Sequence, residues 1–308
     1  MTDIMSVVVP IILLLFLGYL CKKKNIVSEE GIRGIKTLSI NFLWPIVLFY
    51  AFFTADYSVS MLAYAGSTFF LCTMAFLAGM LLRRKIRTTE HSFCYPYLMS
   101  GSEIGMLGYS LYILLFGAEH ISQLAVFDVG HAFFIFPIFL SCLNMEQGKG
   151  SVKESFIKML KQPLIIMLAI GLICGISGFG KFVMNSEIST VIDKIYNLAS
   201  SANVVTMLAV MGYGISFSAA QLKKSIRFIA ARAIAMTICC IMSLLFIQMT
   251  VGLTQYTMYA AILTFILPPV YMLSVYVEDR KENEFISTTT SIYTVLSIAV
   301  FMVISIFK

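Results

Sequence analysis

Charge is scarce in this 308-residue sequence: Asp, Glu, Lys and Arg make up 12% of it, against 59% hydrophobic residues. A soluble domain carries about 25% charge, and the polar stretches here are too short to form one. The alternating strands of a membrane β-barrel, about 10 residues each, are also missing; apolar runs of roughly 18 to 25 residues recur instead. The seven cysteines (Cys21, Cys72, Cys94, Cys142, Cys174, Cys239, Cys240) lie in or beside those runs without C-x-x-C spacing. They read as small hydrophobes, not as a disulfide framework or a zinc site. No H-E-x-x-H, Walker loop or G-x-G-x-x-G occurs, and no Ser or Cys stands near a His and an acid. ATP-driven transport by this chain, dinucleotide chemistry and an intramembrane enzyme are therefore set aside. The amino terminus lacks a basic n-region and a small-residue cleavage site, so the first apolar run is expected to be a retained span.

What the sequence does contain is an all-α, polytopic membrane pattern. Ten transmembrane spans are expected at about 4–21, 37–54, 60–82, 92–117, 121–144, 160–180, 190–216, 226–251, 256–277 and 285–307. Each is near the length needed to cross about 30 Å of hydrocarbon. The net charge of +6 does not point to nucleic acid, because nineteen of the 22 Lys and Arg fall in or beside the odd-numbered loops. Those include Lys36 in loop one, Arg83 to Arg87 in loop three, Lys149 to Lys161 in loop five, and Lys223 to Arg232 around loop seven. The positive-inside rule then puts the odd loops in the cytoplasm and both termini outside the cell membrane.

Ten spans divide into two sets of five, residues 1–148 and 149–308, and an odd number per set inverts the second. Pro10 and Gly18 of span one recur at the same offset as Pro163 and Gly171 of span six. The fourth span of each half is interrupted near its centre, at Ser102–Gly105 in one and at Leu267-Pro268-Pro269 in the other. Interrupted spans at matching positions of two halves are the best sequence pointer to a transporter binding site.

The candidate binding residues cluster there. Gly101, Gly105 and Gly108 suit either close helix packing or unwound backbone, and Ser100, Ser102 and Glu103 among them favour the second. Glu103 is a carboxylate at membrane depth, by default a functional-site hypothesis. It suits proton coupling, a sodium ligand, a counter-charge, or a structural pair with Arg232. Pro268 and Pro269 each remove a backbone donor, leaving the carbonyls near Ile266 and Leu267 as candidate ligands. Asp128 and His131 lie about 10 Å into span five, where Asp128 suits a relay, a pair with the crossover or a helix cap. Asn41, followed by Pro45 in span two, and Asn203 in span seven are polar at similar depths and suit a cavity lining or interhelical hydrogen bonding. His91 and His120 read as solvated loop residues.

These stretches resemble the auxin efflux carrier family in its short bacterial form, over essentially the whole chain. The opening run from Val9 to Phe49 is similar to the family's Pro-to-Gly first helix, basic loop and Leu-x-Pro second helix. Ser100 to Gly117 resembles its Asn-x-Gly-x-x-Gly-x-Pro crossover, Phe127 to His131 its Asp-x-Gly-Asn, and Leu267-Pro268 its ninth span. The resemblance implies two inverted five-helix repeats with crossed broken helices, as in bile-acid sodium symporters and sodium/proton antiporters. Spans 1–2 and 6–7 would form a scaffold, and spans 3–5 and 8–10 a moving domain. It also implies a homodimer and small organic anions, such as auxins, malonate or malate, as substrates. Three positions depart from the family: Glu103 stands where it has Asn, Ser110 where it has Pro, and His131 where it has Asn. At 4 Å and an effective dielectric of 20, a charged Glu103 would repel a carboxylate by about 4 kcal/mol. An anionic substrate therefore requires Glu103 to be protonated or masked by a cation; otherwise the solute is neutral or cationic.

The expectation is an alternating-access secondary transporter without a cofactor, with Na+ or H+ as the coupling ion. Its partners would be a small-molecule substrate, membrane lipid and a second copy. Its candidate site comprises Ser102, Glu103, Gly105, Gly108, Ser110, Leu267, Pro268, Pro269, Asp128, Asn41 and Asn203. The rival readings are a receptor or sensor on a transporter fold and a passive channel.

Overall fold

The computed structural model describes residues 2–55, 59–85, 92–117, 120–148, 157, 160–277 and 279–306. Arg87, His91, Lys149, Lys153, Lys158 and Lys308, used above for topology or read as solvated, lie outside the described residues. Within them the protein is helical throughout, with no strand. Among the described residues, six continuous helical stretches are by length and apolar composition able to cross a membrane: Glu29–Phe53, Ser60–Lys85, Ile121–Glu146, Ser189–Gly214, Leu222–Thr250 and Arg280–Ile306. Pro163–Ile176 is a shorter apolar helix.

In chain order, α1 is Thr2–Lys23, and α2 (Glu29–Leu38) continues through a π-helical segment, Ser39–Leu43, into α3 (Trp44–Phe53). Helix α4 is Val59–Lys85. The next region is broken into α5 (Tyr95–Ser100), a π-helical segment Ile104–Gly108 and α6 (Tyr109–Phe116). Helix α7 (Ile121–Phe134) passes through π-helical Ile135–Phe139 into α8 (Leu140–Glu146). Then follow α9 (Pro163–Ile176), α10 (Phe179–Met184), α11 (Ser189–Gly214) and α12 (Leu222–Thr250). A second broken region consists of α13 (Gln255–Ile266) and α14 (Leu273–Tyr276), and α15 (Arg280–Ile306) closes the described chain.

The expected second span begins earlier than the hydropathy suggested, because α2 joins α3 without a stop. Lys36 is therefore a helix residue and not part of a loop. Arg232, inside the expected eighth span, sits within α12 and is fully buried. His120 is not simply solvated; its ring stacks on Tyr256 at 3.8 Å. All seven cysteines are free, but only Cys72, Cys94 and Cys239 are fully buried.

Two close packings build one wall of the protein. Helix α1 lies along α11, where a Cβ on Gly18 would sit 1.9 Å from the Ala209 carbonyl oxygen and one on Gly212 1.9 Å from that of Leu15. Helix α9 lies on α3, where a Cβ on Gly171 would meet the Phe49 carbonyl oxygen at 2.8 Å. Elsewhere α4 packs on α5, α7 and α12, and α12 also packs on α13 and α15. Outward faces are apolar, as at Leu62, Phe182, Leu198 and Met249, whereas α15 turns Thr288, Thr289, Thr290, Ser291, Thr294 and Ser297 inward. Apolar outside and polar-lined inside is the arrangement lipid demands, since inward hydroxyls find partners that hydrocarbon cannot supply.

Candidate functional site

The two interruptions meet. Helix α5 ends at Ser100, and Gly101 (φ −83°, ψ 147°) and Glu103 (φ −80°, ψ 60°) leave helical geometry before the chain re-enters a helix. Across from them, Leu267 (φ −64°, ψ 152°) ends α13 just before Pro268 and Pro269. The Glu103 N–H donates to the Pro268 carbonyl at 2.8 Å, and the Tyr271 N–H donates to Glu103 Oε2 at 2.5 Å. Each break thus supplies a partner for the other, and the Glu103 carboxylate holds the chain leading into α14. None of Gly101, Gly105 and Gly108 has a positive φ. Their role is space: a Cβ on Gly105 would lie 2.0 Å from Trp44 Cζ2, and one on Gly108 2.8 Å from Leu267 Cδ1.

Arg232 lies ten residues into α12, about 15 Å from its start. Its guanidinium donates to the Leu98 carbonyl, to that of Gly101 at 2.8 Å and to that of Leu267 at 3.3 Å, and it stacks over the Tyr293 ring at 5.0 Å. These carbonyls close the ends of α5 and α13, where helix dipoles concentrate negative charge. The carbonyls of Ile266 and Leu267 are therefore not free, as the prolines suggested, because Ser297 Oγ donates to the first at 2.6 Å and Arg232 to the second.

Beside the crossing is a cavity of about 370 Å³, within the range of small-molecule sites. It is lined by Lys36, Ile40, Asn41, Trp44 and Leu48 from α2–α3, and by Ser102, Glu103 and Gly105 from the crossing. Asp128, His131, Ala132, Ile135 and Phe136 come from the α7 region, Gln162 to Leu164 and Leu168 from α9 and its start, and Val270, Met272 and Tyr276 from the second break. All three π-helical segments named above contribute lining residues: Ile40 and Asn41, Gly105, and Ile135 with Phe136. A π bulge re-aims side chains and recurs at functional sites; Pro45 and Pro137 sit beside or within two of them.

Of the expected site residues, Asn41, Ser102, Glu103, Gly105 and Asp128 come together here. Gly108, Leu267, Pro268 and Pro269 shape the crossing behind the lining, and Ser110 is buried in α6. Asn203 is buried on α11 away from the cavity, and its side-chain oxygen has no hydrogen-bond partner among the described residues. Asp128 is no helix cap: it lies within α7, accepts the Tyr109 hydroxyl at 3.1 Å through Oδ2, and has His131 Nδ1 3.4 Å from Oδ1. His131 Nε2 accepts the Ser102 N–H at 3.1 Å.

Among the lining residues that sequence reasoning missed, two bear most on the chemistry. Lys36, counted as a loop charge, faces the cavity within electrostatic reach of Glu103. Trp44 contributes a buried indole N–H without a hydrogen-bond partner among the described residues. A signal existed: Lys36, Ile40, Trp44 and Leu48 recur every four residues and so share one helix face.

A helical, polytopic membrane protein with a solute-sized cavity beside two crossed, interrupted segments belongs in the class of membrane transporters. The comparisons agree. The sequence profile described as membrane transport protein matches residues 3–307, and the chain belongs to that family, the auxin efflux carriers its motifs resembled. It is also similar to an uncharacterized transporter of Methanocaldococcus jannaschii, with 26% identity over 305 residues covering 94% of this chain and 96% of that protein.

Proposed function

We propose that the protein is a secondary transporter that carries a small organic carboxylate, of the size of malonate, malate or an auxin-like acid, across the cell membrane by alternating access. The observation that carries this reading is the cavity beside the crossed breaks, where Lys36 sets a cation against Glu103 and so offers an anion what Glu103 alone would refuse. Two walls of different character enclose it. One comes from α2–α3 and α9, the other from the crossing, the α7 region and the second break, which suits a moving domain sliding on a scaffold.

The reading includes ten spans in two inverted five-helix repeats, with both termini outside and two copies associating. The packing supports the repeat. If span n corresponds to span n + 5, α1 on α11 maps onto α9 on α3, α4 on α5 onto α12 on α13, and α4 on α7 onto α12 on α15. Each of those pairs is in contact, and Gly18 and Gly171 occupy the matching close approaches. Coupling would run through the crossing and the ionisable groups that line the cavity beside it, Glu103, Asp128 and His131. Because Arg232 already occupies the carbonyl ends that would draw a cation, H+ is favoured over Na+.

Counterflow in proteoliposomes tests the proposal. Vesicles preloaded with unlabelled malonate should accumulate labelled malonate transiently and saturably. A flux that neither saturates nor shows counterflow would indicate a channel, and binding without flux would indicate a receptor.

A further inference from the structure

We propose that protonation of His131 completes an anion subsite in this cavity, so that a carboxylate and a proton bind together. The proposal rests on the cavity being the transport site, and deepens that reading by assigning the group that takes the proton and the donors that take the anion.

The hydrogen-bond chain fixes the starting state. The Ser102 N–H points at His131 Nε2 across 3.1 Å, so that nitrogen must carry a lone pair. The imidazole proton is then on Nδ1, facing Asp128 Oδ1 at 3.4 Å, while the Tyr109 hydroxyl occupies Oδ2. The ring is then neutral, with Nε2 accepting from Ser102 and Nδ1 turned toward the Asp128 carboxylate. A proton delivered from cavity water to Nε2 forms a new N–H bond and sets two donors against each other. The Ser102 hydrogen bond cannot survive that change. The imidazolium gains a Coulomb attraction to the Asp128 carboxylate, whose Oδ1 stands 3.4 Å from Nδ1.

The consequence falls on the crossing. Ser102 lies in non-helical backbone between α5 and the π-helical segment, and it lines the cavity together with His131. Protonation therefore presents two adjacent donors, the released Ser102 N–H and the new Nε2–H. Lys36 and the Trp44 ring line the opposite, α2–α3 wall, where Lys36 supplies the positive charge. A carboxylate bridging the walls replaces the hydrogen bond that was lost. No protonation of Glu103 is required, and its Oε2 keeps the Tyr271 N–H. By linkage, the factor by which the proton raises anion affinity is the factor by which the anion raises proton affinity.

The titratable groups around His131 are few. Asp128 shares its helix; Glu103 comes from the crossing, Lys36 from α2 and Tyr276 from α14. Tyr109 of α6 reaches it through Asp128. Of the other helices packed on α7, α4 brings Tyr64, which stacks on Phe127, α13 brings Tyr259, which is against Phe116, and α3 brings Tyr50, which donates to Asp193.

The test uses the full chain in nanodiscs, with malonate, acetate and indole-3-acetate as probes and calorimetry between pH 5 and 8, the range in which imidazoles titrate. Wild-type affinity should rise as pH falls, by about tenfold per unit while one proton is taken up. His131→Gln, whose amide oxygen still accepts the Ser102 N–H, should bind without that slope. Nitrogen NMR of labelled histidine, assigned by loss of the signal in the Gln variant, should show the Nδ1–H tautomer at pH 8. A Gln variant that retains the slope, or an Nε2–H tautomer at pH 8, overturns the proposal without touching the transport reading. Failure of all three probes to bind at any pH also overturns it, and malonate counterflow then decides separately whether the protein is a transporter.

Discussion

Arg232→Met replaces the buried guanidinium by an apolar side chain of similar length, and its cost can be worked from the contacts. Three carbonyls, of Leu98, Gly101 and Leu267, lose a charged donor. A buried acceptor left unsatisfied costs about 1–3 kcal/mol, so the gross loss is about 3–9 kcal/mol. Against it stands the relief of several kcal/mol of desolvation that a buried charge incurs. A net loss of about 3 kcal/mol is expected, which at about 2–4 °C per kcal/mol for a large chain lowers the melting temperature by about 6–12 °C. The more discriminating readout is sodium. With the guanidinium gone, oxygens at two negative helix ends are open to a small cation. The variant should regain up to about 2.7 kcal/mol when Na+ reaches a hundred times its Kd, whereas choline at equal ionic strength should restore nothing. Wild type should respond to neither salt. Thermal unfolding of purified protein with NaCl or choline chloride measures this directly. If wild type and variant melt together, or if Na+ stabilises both equally, Arg232 does not fill the role a cation would take.

Lys36→Gln should weaken carboxylate binding: at about 8 Å and an effective dielectric of 20 the lost attraction is about 2 kcal/mol, some 30-fold in Kd, and unchanged calorimetric affinity would remove Lys36 from the anion site. Glu103→Gln keeps an acceptor for the Tyr271 N–H but removes the charge, so the pH or cation dependence of transport in proteoliposomes should change; an unaltered rate and pH profile would exclude Glu103 from coupling. Gly105→Ala places a methyl group against the Trp44 indole, an overpacking worth about 1–3 kcal/mol. Transport and melting temperature should both fall and be partly restored by adding Trp44→Phe, and a silent single variant would mean that α3 and the crossing are not in contact during the cycle.

The membrane class and both interruptions were legible because Gly and Pro change backbone behaviour in ways that no tertiary context hides. Pro268-Pro269 cannot continue a helix, and Gly101 to Gly105 around a carboxylate are poor material for a lipid-facing span. The partners of those breaks were not legible. Lys36 stands beside a basic cluster that hydropathy assigns to a loop, and only the helix phase shared with Ile40, Trp44 and Leu48 reveals it as an inward cation; Arg232 fell inside its expected span, but its three carbonyl partners left no sequence trace. The π-helical segments left no clear trace, since Pro45 and Pro137 are compatible with a simple kink. Asn41 and Asn203 looked equivalent by depth, but rotation about the helix axis separates them, and a single sequence states depth better than azimuth.

Trp44 is the only tryptophan in the chain, and it stands where one cavity wall meets the other, its ring filling the space left by Gly105. The protein therefore carries an intrinsic optical reporter at the joint that would have to slide. Excited selectively over the 15 tyrosines, its emission would follow the polarity of the cavity as solute arrives or the walls part. Time-resolved measurements on the unlabelled wild-type chain could thus follow the motion without a cysteine having to be introduced.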